Sequence, residues 1–171
     1  MTEFARPTPL DHLGGHLGGH LGGPAVTITV EAGPAELAAL ALRLRIPAVE
    51  RLWCRFRLRR TEGAVVEAKG QLEAEVMQVC VLSLEPFEQR IAEDFSVQFV
   101  PDGAETDDPD PDAVDQVPYR GNAIDLGEAA AEQLALALDP YPRMPGADEA
   151  ALFPSEPSGP FALLAGLRHK P

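Results

Sequence analysis

The chain has little of what usually makes a sequence legible. Its 171 residues include two cysteines, one tryptophan and only 6% aromatic residues. Two cysteines, Cys54 and Cys80, are too few for a disulfide framework, and both fall in apolar alternating patterns, so buried reduced thiols are expected. No run of 18 apolar residues occurs, so no membrane-spanning helix is expected, and no charged segment followed by an apolar one marks a secretory signal. A cytoplasmic protein is the resulting expectation. Basic residues are also scarce, 14 Lys and Arg against 27 Asp and Glu for a net charge of −13. That balance argues against a simple nucleic-acid coat. No glycine-rich phosphate loop follows a strand, no Gly-x-Ser-x-Gly elbow appears, and Cys80 has no histidine near it in an ordered pattern. Those absences argue for a non-enzymatic protein that needs no cofactor.

What charge there is lies unevenly. Residues 1–70 carry nine Lys/Arg and seven Asp/Glu, whereas residues 71–171 carry five and twenty. Proline and glycine, seventeen and fifteen in number, gather near the ends and in one loop. The chain thus divides into a leader over 1–23, a single domain over 24–143 and a Pro/Gly-rich tail over 144–171. The leader contains His12-Leu-Gly-Gly three times over, with His16 and His20 opening the later copies. Histidines four apart share a helix face, but half of the repeat is glycine, each costing a helix roughly 1 kcal/mol relative to alanine. A flexible leader without a metal site is expected.

Residues 25–30 alternate as a first strand. Pro34 then opens a helix to residue 45 with Leu37, Leu40 and Leu44 inward, which Pro47 ends. Over residues 51–60 the even positions Leu52, Cys54, Phe56 and Leu58 are apolar. The odd positions Arg51, Trp53, Arg55, Arg57 and Arg59 form a basic stripe. The next strand, from 65 to 79, places Val66, Ala68, Leu72, Ala74 and Val76 on one side. Parity sets the register: a three-residue loop of 62–64 pairs Arg59 with Glu67, Trp53 with Glu73 and Arg51 with Glu75, and keeps both apolar faces together. A short strand over 81–84 and a last long strand with Ile91, Phe95, Val97 and Phe99 inward follow. Asp102 to Asp115 holds seven carboxylates broken by prolines and reads as a mobile acidic loop, extending to 118. Its Asp108-x-Asp110-x-Asp112 opening lacks the glycine and glutamate of a calcium loop, whose places fall on Ala113 and Tyr119.

These elements predict an α+β fold: a curved, mainly antiparallel, partly barrel-like sheet packed by two main helices, with flexible termini. Its core is expected to include Val26, Ile28, Leu37, Leu40, Leu44, Phe56, Leu72, Val76, Phe95, Val97, Leu134 and Leu138. The arginine stripe admits two readings. Guanidinium groups bind phosphate bidentately and an exposed tryptophan stacks on a base. Alternatively, Glu67, Glu73 and Glu75 satisfy the stripe across the hairpin, each pair contributing roughly 0.2–1 kcal/mol.

The segment from Ile124 to Arg143 is the most informative. Asp125 is an N-cap acceptor, Glu128 stands at the capping-box spacing, Leu126, Ala130, Leu134 and Leu138 recur every four residues, and Pro140 and Pro142 end the helix. With Cys80, Leu84-Glu-Pro-Phe87, Phe95-Ser-Val-Gln-Phe-Val-Pro101 and the closing Pro160-Phe-Ala-Leu-Leu164, this block resembles the YceD family, associated with accumulation of the large-subunit ribosomal RNA. The resemblance spans roughly residues 65–167. Many members carry Cys-x-x-Cys where this chain has Cys80-Val-Leu-Ser83, so a role for that cysteine pair does not carry over. The resemblance implies a non-catalytic ribosome-biogenesis factor whose partner is the large-subunit ribosomal RNA or a ribosomal protein, with no membrane or small-molecule partner. The alternative is an adaptor whose acidic loop binds a basic protein, such as a ribosomal one. The Pro160–Leu167 run is expected to dock back onto the body.

Overall fold

The computed structural model describes residues 3–13, 24–61, 64–106 and 114–147. A five-stranded sheet runs in the order β2 (Val26–Glu31), β3 (Ala48–Arg60), β4 (Val66–Val79), β5 (Pro86–Pro101) and β6 (Asp115–Tyr119). All neighbours are antiparallel except β5 and β6. A second, two-stranded sheet pairs β1 (Pro7–Pro9) with β7 (Ala123–Asp125). The helices are α1 (Pro34–Leu44) and α2 (Leu126–Ala137). The fold is α+β with a mainly antiparallel sheet, as expected, and the large sheet is open: its order ends at β2 and β6, which do not pair.

The β3–β4 register is the one that parity demands. Arg59 faces Glu67, Trp53 faces Glu73, Arg51 faces Glu75, Leu58 faces Ala68 and Cys54 faces Leu72. The Thr61 N–H donates to the Val65 carbonyl at 2.8 Å, closing the three-residue connection. Even positions of β3 and β4 consequently share one face, and α1, α2 and the N-terminal segment cover it. Leu52, Phe56, Leu58, Leu72, Leu40 and Leu134 are fully buried there, with Val76 and Val97 nearly so. Ile28, Leu37, Leu44, Phe95 and Leu138 pack half-buried at its margin. Val26, on the outer strand β2, is also only half-buried.

Helix α1 ends as its sequence requires. Arg45 takes the left-handed conformation at φ 57°, and its N–H bonds the Ala41 and Leu42 carbonyls. The α2 cap differs from expectation. Asp125 accepts the N–H groups of Gly127 (3.0 Å) and Glu128 (3.1 Å), but Glu128 does not reach back to complete a box. Its carboxylate instead takes both guanidinium nitrogens of Arg43 at 2.6 and 2.9 Å, tying α2 to α1. The true capping-box glutamate is Glu36, which accepts the Gly33 N–H at 2.7 Å.

Three further expectations need correction. Residues 3–13 of the leader are not loose: they supply β1 and a 3-10 turn (Leu10–Leu13), and bury Phe4 and Leu13 completely. The apolar residues of this stretch are too sparse for a period, yet α2 leaves room for them. Residues 81–84 form a turn rather than a strand, with Leu84 at φ 61°. The chain from 102 to 118 is not wholly loop, because Asp115–Tyr119 adds a parallel edge strand and Tyr119 donates its hydroxyl to the Ala64 carbonyl at 2.7 Å. Residues 107–113, the histidines at 16 and 20 and the Pro160–Leu167 segment lie outside the described residues.

Candidate nucleic-acid interface

Because one face of the sheet is given to the core, the odd positions of β3 and β4 emerge on the other. Their cross-strand rows can be read from the register. Thr27, Arg57, Lys69 and Ser96 form one row; Thr29, Arg55, Gln71 and Asp94 form the next. Glu31, Trp53 and Glu73 follow, and then Arg51, Glu75 and Arg90. The residues of the first two rows are exposed.

The stripe divides into satisfied and unsatisfied members. Arg59 bonds Glu67 through two nitrogens, at 2.7 and 3.1 Å. Arg51 reaches Glu31 at 4.0 Å, and Glu73 is taken by Arg90 at 3.2 Å instead of by the stripe. Arg55 stacks its guanidinium 5.6 Å from the Trp53 ring centre. Neither Arg55, Arg57 nor Lys69 has a carboxylate within 4.0 Å among the described residues. The five stripe residues thus share a face as expected, but only Arg55 and Arg57 hold unspent charge, and Lys69, opposite Arg57, joins them. Lys69 had a legible signal: the parity that pairs Arg59 with Glu67 puts Lys69 across from Arg57.

Between the first two rows lies a groove of about 550 Å³, lined by Thr27, Arg55, Arg57, Lys69, Gln71 and Asp94, among others, with Gly70 and Phe95 completing its lining. A smaller recess of about 270 Å³ flanks the other side of Arg57 and Lys69, bounded by Arg59 and Glu67. The two cations therefore stand as a ridge between two depressions. Chemically the arrangement suits an anion. Guanidinium and ammonium donors surround open space with hydroxyl groups beside them, and no nucleophile with an adjacent base lines it.

The family-motif positions lie elsewhere. Asp125 and Glu128 begin α2; beyond capping the helix, Asp125 accepts the Arg6 N–H at 2.8 Å. Their work is to fasten the N-terminal segment and α1. Pro140 lies past the other end of α2, where residues 139–144 cross the end of β4: Val81 N–H donates to the Pro142 carbonyl and Gln78 to that of Asp139. Cys80 is buried there, accepting the Met144 and Ser83 N–H groups at 3.3 and 3.5 Å. Those donors, Met144 first, lower its thiol to about 7. Cys54 lies within the core, and burial pushes it up to about 12. Among the described residues no group of three or more His, Cys, Asp or Glu lies close enough to hold a metal ion, and no helix is long and apolar enough to cross a membrane.

The family described as large ribosomal RNA subunit accumulation protein YceD matches residues 68–160. That range covers β4 from Ala68 onward, β5, β6, β7 and α2, including Lys69, Cys80, Asp125, Glu128 and Pro140; the arginine stripe on β3 precedes it. No curated protein and no solved structure matched the chain. With the match covering over half of the sequence, the chain belongs to the YceD family.

Proposed function

We propose that this protein is a non-catalytic factor in the assembly of the large ribosomal subunit, supporting accumulation or processing of its RNA. In this reading it meets ribosomal RNA, or a protein bound to it, through the open polar face of its sheet, the face that carries Arg51, Trp53, Arg55, Arg57 and Arg59. Family membership supports the process. The observation that carries the contact is that Arg55 and Arg57 are exposed on a sheet face and have no carboxylate partner among the described residues, although the same strand satisfies Arg59. Unpaired arginine on a flat polar surface is the recognised donor set for phosphate.

The test is a pull-down of the full chain from cells, with and without ribonuclease. Enrichment of large-subunit precursor RNA that ribonuclease abolishes supports direct RNA contact. Retention of a basic ribosomal protein after ribonuclease moves the contact to protein. No enrichment of either ends the proposal.

A further inference from the structure

Resting on that reading, we infer that the Arg57–Lys69 ridge, with Arg55 across the groove, is the phosphate-binding point for a single strand of RNA laid across β2 to β5. The strand does not run along β3. A stripe along one strand would use Arg51 through Arg59 equally, over roughly 27 Å. The ends of that stripe are already engaged, by Glu31 and Glu67. The unspent cations instead lie on two neighbouring strands, Arg55 and Arg57 on β3 and Lys69 on β4.

The shape of the groove follows from sheet geometry. Rows two residues apart are separated by roughly 6.6–6.8 Å, and four strands span about 14 Å at about 4.8 Å between neighbours. A channel of that width takes one sugar–phosphate chain and not a duplex. Its walls are asymmetric. Arg57 and Lys69 occupy the middle of one wall, flanked by the hydroxyls of Thr27 and Ser96; Asp94 ends the other wall beside Gln71. A carboxylate at that corner repels phosphate and accepts a hydrogen bond from a ribose 2′-hydroxyl or a base amino group, both of which a ribonucleotide supplies. Trp53, one row beyond Arg55, offers a ring for a base leaving the groove.

The ridge is also an electrostatic oddity for this fold. Arg57 and Lys69 face each other directly across β3 and β4, an arrangement that opposes pairing. On the same two strands Arg59 faces Glu67 and Arg51 faces Glu75. A like-charged pair kept amid matched ones is the mark of a surface shaped for an anion that is not part of the sheet.

The experiment measures anisotropy of a labelled ten-nucleotide RNA of mixed, GC-containing and non-self-complementary sequence, alone and annealed to its complement, with the full chain at 50 and 200 mM salt. Wild type, K69Q, R55Q/R57Q and R51Q/R59Q are compared. Three phosphate contacts on a single strand predict an affinity loss of about 18-fold across that salt range, from a slope of about 0.7 per contact. K69Q should bind more weakly, lose only about 7-fold across the same range, and keep or raise its melting temperature as the repulsion is relieved. The duplex should bind more weakly than the single strand. K69Q binding like wild type, R51Q/R59Q losing as much as R55Q/R57Q, or equal duplex binding overturns the inference. A wild type that ignores the oligonucleotide also overturns this site. The assembly role is judged apart from it, by large-subunit precursor levels in cells lacking the protein.

Discussion

Gly70 is the position where one methyl group has the most calculable effect. It lies between Phe56 on β3 and Phe95 on β5, whose rings meet edge to face above it, 5.8 Å apart at an interplanar angle of 85°. A Cβ built there would sit 2.1 Å from Phe95 Cζ, and the Cε atoms are at 2.3 and 2.7 Å. Carbon contacts are comfortable at about 3.5–4.0 Å, so the ring must withdraw by roughly 1.5 Å or swing away. Phe95 is half-buried at the margin of the core, so swinging is available; backbone rearrangement is not needed. The cost of Gly70→Ala is then the aromatic pair, about 0.5–1.5 kcal/mol, plus part of the roughly 1.5–3 kcal/mol that burying a phenylalanine contributes. Restricting the unfolded chain offsets about 0.4–1 kcal/mol. A net loss of about 1–2 kcal/mol follows, which for a domain of this size lowers the melting temperature by about 2–4 °C per kcal/mol. The decisive assay is a double-mutant cycle with Phe95→Ala, read by urea denaturation. In the Phe95→Ala background the alanine at 70 has room and should be neutral or stabilising. Equal destabilisation in both backgrounds would refute the ring as the cause.

The remaining predictions address the ends of the fold and its two thiols. Phe4→Ala should cost about 3–5 kcal/mol, as for any fully buried aromatic, and Gly127→Ala should also destabilise because its Cβ would meet the Phe4 carbonyl oxygen, a backbone atom that cannot swing aside. Thermal melts of either variant matching wild type would return residues 3–13 to the status of a loose leader. Glu36 is held at about 2, below its ordinary 4.5, first by the Arg6 guanidinium at 2.6 and 2.7 Å and then by the Gly33 N–H. A lowered carboxyl contributes stability that is fully present above pH 4.5 and is lost as the pH falls toward about 2. Glu36→Gln should therefore flatten the acid limb of the stability profile between those values, with an effect at pH 7 of about 1 kcal/mol because both partners are partly exposed. An unchanged acid limb sinks that assignment. Native-state alkylation should label Cys80 well before Cys54: Cys80 is near neutral titration and lies beneath its own 80–84 turn and the 139–144 crossing, whereas Cys54 is both central and raised. Labelling of both at one rate would show that the crossing opens only with the whole fold.

Period-two patterning on β3 and β4 was legible because each strand has one buried face, which makes a single-residue slip costly. The same parity that kept Leu58 by Ala68 also named the partners of Arg51, Trp53 and Arg59. Helices α1 and α2 were legible from proline stops and four-residue stripes. The illegible parts have a common physical reason. The segment from Phe4 to Leu13 and the strand at Asp115–Tyr119 are too short for a period, and each is held by partners far away in the chain: Leu10 by Asn122, Arg6 by Asp125 and Glu36, Tyr119 by Ala64. Glu128 shows the limit of local rules. A capping-box spacing predicted a bond back to Asp125, but tertiary packing brought Arg43 within 2.6 Å, and a charged partner outcompeted a backbone amide. At the candidate site the stripe itself was visible. Which arginines were already spent was not, since Glu31 sits on β2 and Arg90 on β5, strands whose neighbours had no pairing signal in the sequence.

Register also explains why this surface is available at all. Moving β4 by one residue would turn Glu67, Lys69, Glu73 and Glu75 toward Leu40, Leu134 and the other core side chains, and burying even one unpaired charge costs several kcal/mol. The apolar residues of β3, β4 and β5 therefore hold the polar face in place without any contribution from it. Substitutions on that face leave the core untouched, so its charges are free to answer to a partner. The rows through Arg59 and through Trp53 and Glu73 use that freedom to pair within the molecule, through Glu67 and Arg90. The rows carrying Arg57, Lys69 and Arg55 do not, and they lie side by side with the groove between them. In a protein with a net charge of −13, three adjacent cations have no carboxylate partner among the described residues at that one place. Packing does not require them there and no carboxylate among the described residues consumes them, which is why the proposed contact assigns them to an anion from outside the chain.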